Sequence, residues 1–266
     1  MPSGDPNQSK DSDRYLRRRR QFERCLTLFG RKPVLEALSH TNVRCERLHL
    51  AERNRSDATL SKIEALARKQ GAEIQRHSRE RLSQISRNRR QDQGVAADIS
   101  WLGYGSLNEH LESTRSAEIS LVVALDRVHN PQNLGMLIRS VTAAGSVAVL
   151  LPRQGGCDIG PLVIKASAGA LFHSTLLRCE TLRDGLLALK NHNFQICSLD
   201  ANAKDNLLEF SCDGPVAMVL GNESEGVDPR IAKLADQTLK IPMSNGIESL
   251  NLAVAAALVA YRLCGR

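Results

Sequence analysis

The chain has 266 residues and a net charge of +7, long enough for two domains that each bury a core. No uninterrupted apolar run approaches the ~20 residues that a bilayer crossing needs, and the opening MPSGDPNQSKDSD lacks the apolar centre of a secretory signal. A soluble cytoplasmic protein with no membrane contact is therefore expected, and its seven scattered cysteines, with no Cys-x-x-Cys pair or neighbouring His group, argue against a metal or disulfide framework.

The charge is divided unevenly. Residues 1 to 101 hold 22 Lys and Arg against 13 Asp and Glu, whereas residues 102 to 266 hold 14 against 16. A polyanion gripped by the first part and modified by the second would account for that division. Residues 1–23 are polar and end in the run Arg17 to Arg20, which reads as a flexible basic tail.

From residue 24 the pattern changes. TLFGRKPVLEAL places Pro33 in the first turn of an amphipathic helix. CERLHLAE reads as a strand, residues 56–70 as a helix, AEIQRHS as a strand, ERLSQIS as a helix and GVAADIS as a strand. This alternation predicts a small α/β domain over residues 24–101. Arg31 and Lys32 near its first helix, and Arg87, Arg89 and Arg90 in the loop before its last strand, are candidate contacts to a nucleic-acid backbone. Aromatic residues make up only 3% of the chain, so recognition would rest on phosphates and shape more than on stacked bases.

Residues 102–117, LGYGSLNEHLESTRSA, read as a moderately flexible linker. The second domain, 118–266, opens with ISLVVALDRV, a near-continuous apolar strand of the kind buried on both faces of a parallel sheet. A helix LGMLIRSVTAAG, a strand VAVLLP, a helix around residues 164–171, a short strand at 176–178, a helix LRDGLLALKN and a strand FQICSLD follow, a βαβα order that predicts a parallel sheet. The apolar run 216–220 stops at Gly221 and a polar loop, GNESEG. A strand at 239–242 leads to a second polar loop, 244–249, and then to an apolar helix from Leu250 to Leu263. Two such strand-end loops can present backbone N–H and C=O groups to one ligand.

Three stretches, VHNPQNLGMLIRSVTAAG (128–145), MVLGNESEGV (218–227) and IPMSNGIESLNLAVAAALVAYRL (241–263), together resemble in order and spacing the three signature motifs of the SpoU (TrmH) family of RNA ribose 2′-O-methyltransferases. FGRKPVLEAL carries a less specific likeness to the ribosomal-protein-like substrate-binding module of several SpoU relatives. The resemblance implies a SPOUT domain whose carboxy-terminal segment is threaded into a deep trefoil knot, which periodicity alone would never suggest. It also implies S-adenosylmethionine as methyl donor, tRNA or rRNA as partner, and a homodimer packed through the knotted domains.

By the same resemblance Asn133, Arg139, Glu223, Ser249 and Asn251 are the catalytic candidates. The resemblance likewise matches Gly221, Ile241 and Leu250 to cofactor contacts and implies that Leu199 and Met243 line the adenine pocket. The family usually assigns the Arg to activating the hydroxyl, but a guanidinium does not normally give up its proton. A clamp on RNA phosphate and developing alkoxide suits Arg139 better. His129 and Asn130 precede Pro131 where relatives often carry an acidic residue, which bears on target preference. The alternative is an RNA-binding or ribosome-assembly factor that retains the fold with little catalysis; an oxidoreductase would need a G-x-G-x-x-G after a strand, which is absent.

Overall fold

The structure is a computed structural model that describes residues 25–101, 103–113 and 119–264. The expected tail over 1–23 lies outside the described residues. Two compact units meet in sequence between Leu102 and Gly103.

The first unit contains β1 (Cys25–Phe29), α1 (Arg31–Leu38), β2 (Val43–Ala51), α2 (Ala58–Lys69), β3 (Glu73–His77), α3 (Arg79–Ser86) and β4 (Val95–Trp101). Its sheet runs β1-β4-β2-β3, with β4 antiparallel to both neighbours and β2 parallel to β3. Polar residues start the helices where sequence logic puts them: Asp57 accepts from the Leu60 amide and Ser78 from the Arg81 amide. Val34, Leu38, Leu48, Leu50, Ile63 and Ile99 are among the residues buried in the unit. A row of side chains crosses the four strands: Thr27 donates to Asp98, Asp98 pairs with His49 at 3.1 Å, and His49 pairs with His77 at 3.0 Å. Burial alone would raise the Asp98 carboxyl, but hydrogen bonds from His49 and Thr27 outweigh it and hold the group below the ordinary carboxylate value.

The second unit contains β5 (Gly105–Ser106), α4 (Leu107–Glu112), β6 (Leu121–Leu125), α5 (Pro131–Ala144), β7 (Val147–Pro152), α6 (Pro161–Ser167), a 3-10 turn at Ala170–His173, β8 (Thr175–Cys179), α7 (Leu182–Asn191), β9 (Gln195–Leu199), β10 (Asp205–Asn206), β11 (Val216–Leu220), α8 (Pro229–Ala232), β12 (Gln237–Lys240) and α9 (Leu252–Cys264). Eight strands pair in parallel in the order β10-β12-β9-β11-β6-β7-β8-β5. β6, β7 and β11 are buried at every position, as strands covered on both faces must be. No described helix is long and apolar enough to cross a membrane.

Three expectations are corrected here. The described part of the expected linker is not a tether: β5 pairs with β8, and Leu107 and Leu111, one helical turn apart on α4, enter the core. Burying each leucine contributes about 1.5–3 kcal/mol, enough to hold a short segment against the sheet. The strand expected at 239–242 is Gln237–Lys240, so Ile241 and Pro242 already belong to the loop. The last helix starts at Leu252, not at Leu250, with Asn251 accepting from the Ala253 amide.

The strand order positions the site. The chain moves outward from β6 through β7 to β8, then returns on the far side to β9, and β11 inserts between β9 and β6. The carboxyl ends of β6 and β11 thus lie side by side where the direction of winding changes, the position at which open α/β sheets form a ligand crevice.

Candidate functional site

Both strand-end loops line one cavity of about 500 Å³ at the carboxyl ends of β9, β11 and β12. Its wall includes residues 220–227, Met243 and residues 248–250. Leu199, Gly221, Ile241, Met243 and Leu250 all border it, as do Glu223 and Ser249. Its lining residues include Asp200, Glu223, Glu225 and Glu248 and no Lys or Arg, with the Glu225 carboxylate paired to Arg127 outside the lining. A pocket of that character suits a cationic ligand with an apolar body and disfavours a phosphate-bearing nucleotide. A larger cavity of about 940 Å³, beside β8 and α7, is bordered by none of the motif residues.

The loop after β11 is tightly folded. Asn222 and Gly226 exchange two backbone hydrogen bonds, 3.1 and 2.8 Å, and the Asn222 side chain accepts from the amides of Ser224 and Glu225. Gly226 turns the chain at φ +67°, and a Cβ on Gly221 would overlap the backbone of Gly226 and Val227. The glycines therefore have different reasons to be there: one supplies a left-handed turn, the other lets two backbone segments touch.

Asn133, Glu223 and Asn251 come together although they are scattered along the sequence. Asn130 caps α5 by accepting from the amides of Gln132 and Asn133, and Pro131 fits the first turn. That leaves the Asn133 side chain at the mouth of the helix, where its NH2 donates to the Glu223 carboxylate and its oxygen accepts from the Asn251 NH2 at 3.1 Å. A side-chain amide can donate to a carboxylate and accept from a second amide at once. An Asp at 133 would instead face Glu223 with like charge.

Arg139 does not join this junction. It is exposed on α5, about 9 Å along the axis from Asn133 by helical rise, and makes no hydrogen bond or ion pair among the described residues. It follows Met136 by one turn on the outer stripe of the helix, and Met136 is 41% exposed.

In the first unit, Arg31 is corrected as a phosphate contact. Its guanidinium pairs with Asp57 and donates to the Asn54 side chain at 2.7 Å and the Arg55 carbonyl at 2.6 Å, with only 16% of the side chain exposed. It buckles the loop after β2 to the start of α1. The Asn54 NH2 in turn donates to the Gly94 carbonyl, and the Arg31 amide donates to Gln93, so the loop before β4 joins the same cluster. Lys32, Arg87, Arg89 and Arg90 are exposed, and so are Arg53 and Arg55, which no sequence pattern groups with them.

Residues 120–261 match the SpoU rRNA Methylase family model. The chain belongs to the SpoU rRNA methylase family. RNA methyl transfer is thus its class of activity, and residues 27–104 match the model for RNA 2′-O ribose methyltransferase substrate binding. An uncharacterized tRNA/rRNA methyltransferase of Mycolicibacterium vanbaalenii is 31% identical over 233 residues, covering 87% of this chain and 74% of that protein. A solved RNA 2′-O ribose methyltransferase superposes with a TM-score of 0.73 at 26% identity, over 93% of this chain and 90% of its own. The AdoMet-bound rRNA methyltransferase of Sinorhizobium meliloti has the same fold, with a TM-score of 0.74 at 23% identity over 93% of this chain and 89% of its own.

The SpoU motifs led to the junction residues but not to what braces them. Asp126 and Arg127, at the end of β6, hold the β11 loop through contacts about a hundred positions apart in sequence. Asp228 caps α8 through Arg230, whose side-chain and backbone hydrogen bonds pull the Asp228 carboxyl down to about 2.

Proposed function

We propose that this protein transfers a methyl group from S-adenosylmethionine to a ribose 2′-hydroxyl of tRNA or rRNA. The junction of Asn133, Glu223 and Asn251 beside a carboxylate-lined cavity carries the reading. Leu199, Ile241, Met243 and Leu250 would hold the adenosine part, and the backbone around Gly221 would supply its hydrogen bonds. The donor supplies an activated methyl on a positively charged sulfur, a charge the surrounding carboxylates favour. Asn133, itself held by Asn251, fixes the Glu223 carboxylate at the rim, Ser249 on the same cavity would accept from or donate to the RNA backbone, and Arg139 brings positive charge to phosphate and to the oxygen that loses its proton.

Two further features belong to this reading. β12 lies beyond β9, whereas α9 packs against α5 and also contacts β6 and β11. The segment 241–251 therefore runs back past the β11 loop, consistent with a trefoil knot. Met136, Val254, Leu258 and Tyr261 form an exposed apolar face on the packed pair α5 and α9, and a second copy of the chain is its occupant. Arg139, on the rim of that face, would then stand where two chains meet. Sedimentation equilibrium should give twice the chain mass for the native protein and a single chain for Leu258→Glu; a monomeric native protein removes the homodimer.

The activity is tested by incubating the protein with methyl-labelled S-adenosylmethionine and RNA from cells lacking it, then mapping ribose methylation. Label in one 2′-O position is the expected result. Label on a base, or RNA binding without transfer, favours another methyl acceptor or a non-catalytic assembly factor. In the same system Arg87, Arg89 and Arg90 changed together to Gln should weaken RNA binding and lower the slope of log affinity against log salt by about 2, at roughly 0.7–0.9 for each phosphate left without a cation. An unchanged slope would remove that loop from the RNA surface.

A further inference from the structure

We infer that Arg127, which none of the motif roles includes, is a positioning residue that clamps the β11 loop into its cofactor-binding form. The inference rests on the proposed use of S-adenosylmethionine. Arg127 leaves the end of β6 in the left-handed region, φ +54°, which turns its carbonyl to accept from the Asn222 NH2 at 3.1 Å. Its guanidinium pairs with Glu225, donates to the Gly226 carbonyl at 3.2 Å and lies 3.4 Å from Asp126. Asp126 in turn accepts from the Asp228 amide at 2.7 Å.

One side chain thus reaches the far limb of a loop whose near limb, at Glu223, is held by Asn133. The loop is held by two struts, at Glu223 and at Glu225 and Gly226, and all three residues belong to the cavity wall. Arg127 does not line the cavity, so it acts on the ligand only through the loop. The guanidinium fork explains the residue type: it engages a carboxylate and a carbonyl together, which an ammonium serves less well.

The consequence is a division of labour. Releasing the Asn133 strut should disturb Glu223 and turnover, whereas releasing Arg127 should loosen the wall and weaken the cofactor. Arg127→Gly provides the test, because glycine adopts the left-handed conformation without strain while removing every side-chain interaction. Calorimetric titration with S-adenosylmethionine should show affinity falling on the order of tenfold, the scale of hydrogen bonds to a charged group. At saturating cofactor, kcat and the KM for RNA should remain within about twofold of the native values. Arg127→Lys should fall between the two, and the thermal midpoint of both variants should stay within a few degrees of the native protein.

Undiminished affinity in Arg127→Gly overturns the inference, as does a loss of kcat with cofactor affinity intact. An affinity loss accompanied by a collapse of the thermal midpoint in both variants also overturns it, because Arg127 would then hold the fold and not the site. If the native protein binds no S-adenosylmethionine, the proposed function fails first, and the titration of native protein reveals that separately.

Discussion

Arg139→Ala should abolish methyl transfer, lowering kcat by on the order of 100- to 1000-fold, while S-adenosylmethionine binds as to the native protein. The two halves of the expectation have separate grounds. Arg139 does not border the cavity, so its removal leaves the cofactor wall untouched. Among the described residues its guanidinium has no partner, unlike Arg31, Arg127 and Arg178, each tied into an ion pair. An exposed cation beside an apolar face, in the first helix after the site strand, is available to a ligand that arrives from outside. RNA brings such a ligand in its phosphates.

The proposed role rests on charge and not on proton transfer. A guanidinium is protonated throughout the working range, so Arg139→Lys should retain part of the rate, since an ammonium still offsets negative charge on the oxygen that gives up its proton. A base role would make the Arg139→Lys rate rise toward alkaline pH as the ammonium gives up its proton, whereas the charge role makes it fall there. Single-turnover rates from about pH 6 to 10 for native, Lys and Ala proteins distinguish the two. Native-like turnover in Arg139→Ala would remove the residue from the site.

What was legible in the sequence depended on how locally each element is determined. LVVAL, VAVLLP and VAMVL announce strands because burial on both faces demands unbroken apolar runs. CLTLF is equally a strand, but Thr27 interrupts its apolar run and it leads straight into Gly-Arg-Lys-Pro, so the turn signal hides it. The β5–α4 segment looks like a linker because Leu107 and Leu111 are the only large aliphatic side chains among its described residues, and those two fasten it. β10, two residues long, and α8, four, are too short for any periodicity to register.

The site divides along the same line. The sequence marks the polar loops that carry Gly221, Glu223, Ser249 and Asn251, after a strand or before an apolar helix, and the SpoU resemblance singles out those residues within them. Arg127 could not, since its partners lie 98 and 99 positions away and a lone Arg after a strand has no distinguishing spacing. Arg31 misled for the converse reason: a cation at the start of a helix in a basic domain looks free until the Asp57 that neutralises it is brought across by the fold.

Gly221→Ala should destroy the cofactor site more completely than any side-chain removal. Its Cβ would fall on the backbone of Gly226 and Val227, atoms that cannot rotate away as a side chain can. Either the paired hydrogen bonds between Asn222 and Gly226 open or β11 shifts in the centre of the sheet, where Leu125 and Ser198 flank its last residues. Overpacking of this kind costs about 1–3 kcal/mol or more, and the loop is the cheaper part to distort. The expected result is a folded protein with a modestly lowered thermal midpoint and S-adenosylmethionine binding reduced below detection at concentrations that saturate the native chain. Gly226→Ala is the control: its Cβ meets nothing within 4 Å, so the cost is the left-handed conformation alone, about 1–2 kcal/mol, and binding should be weakened but measurable. Gly226→Asn, better suited to positive φ, should bind more tightly than Gly226→Ala. If Gly221→Ala binds S-adenosylmethionine as well as Gly226→Ala does, close approach of the two loop limbs is not what shapes the pocket.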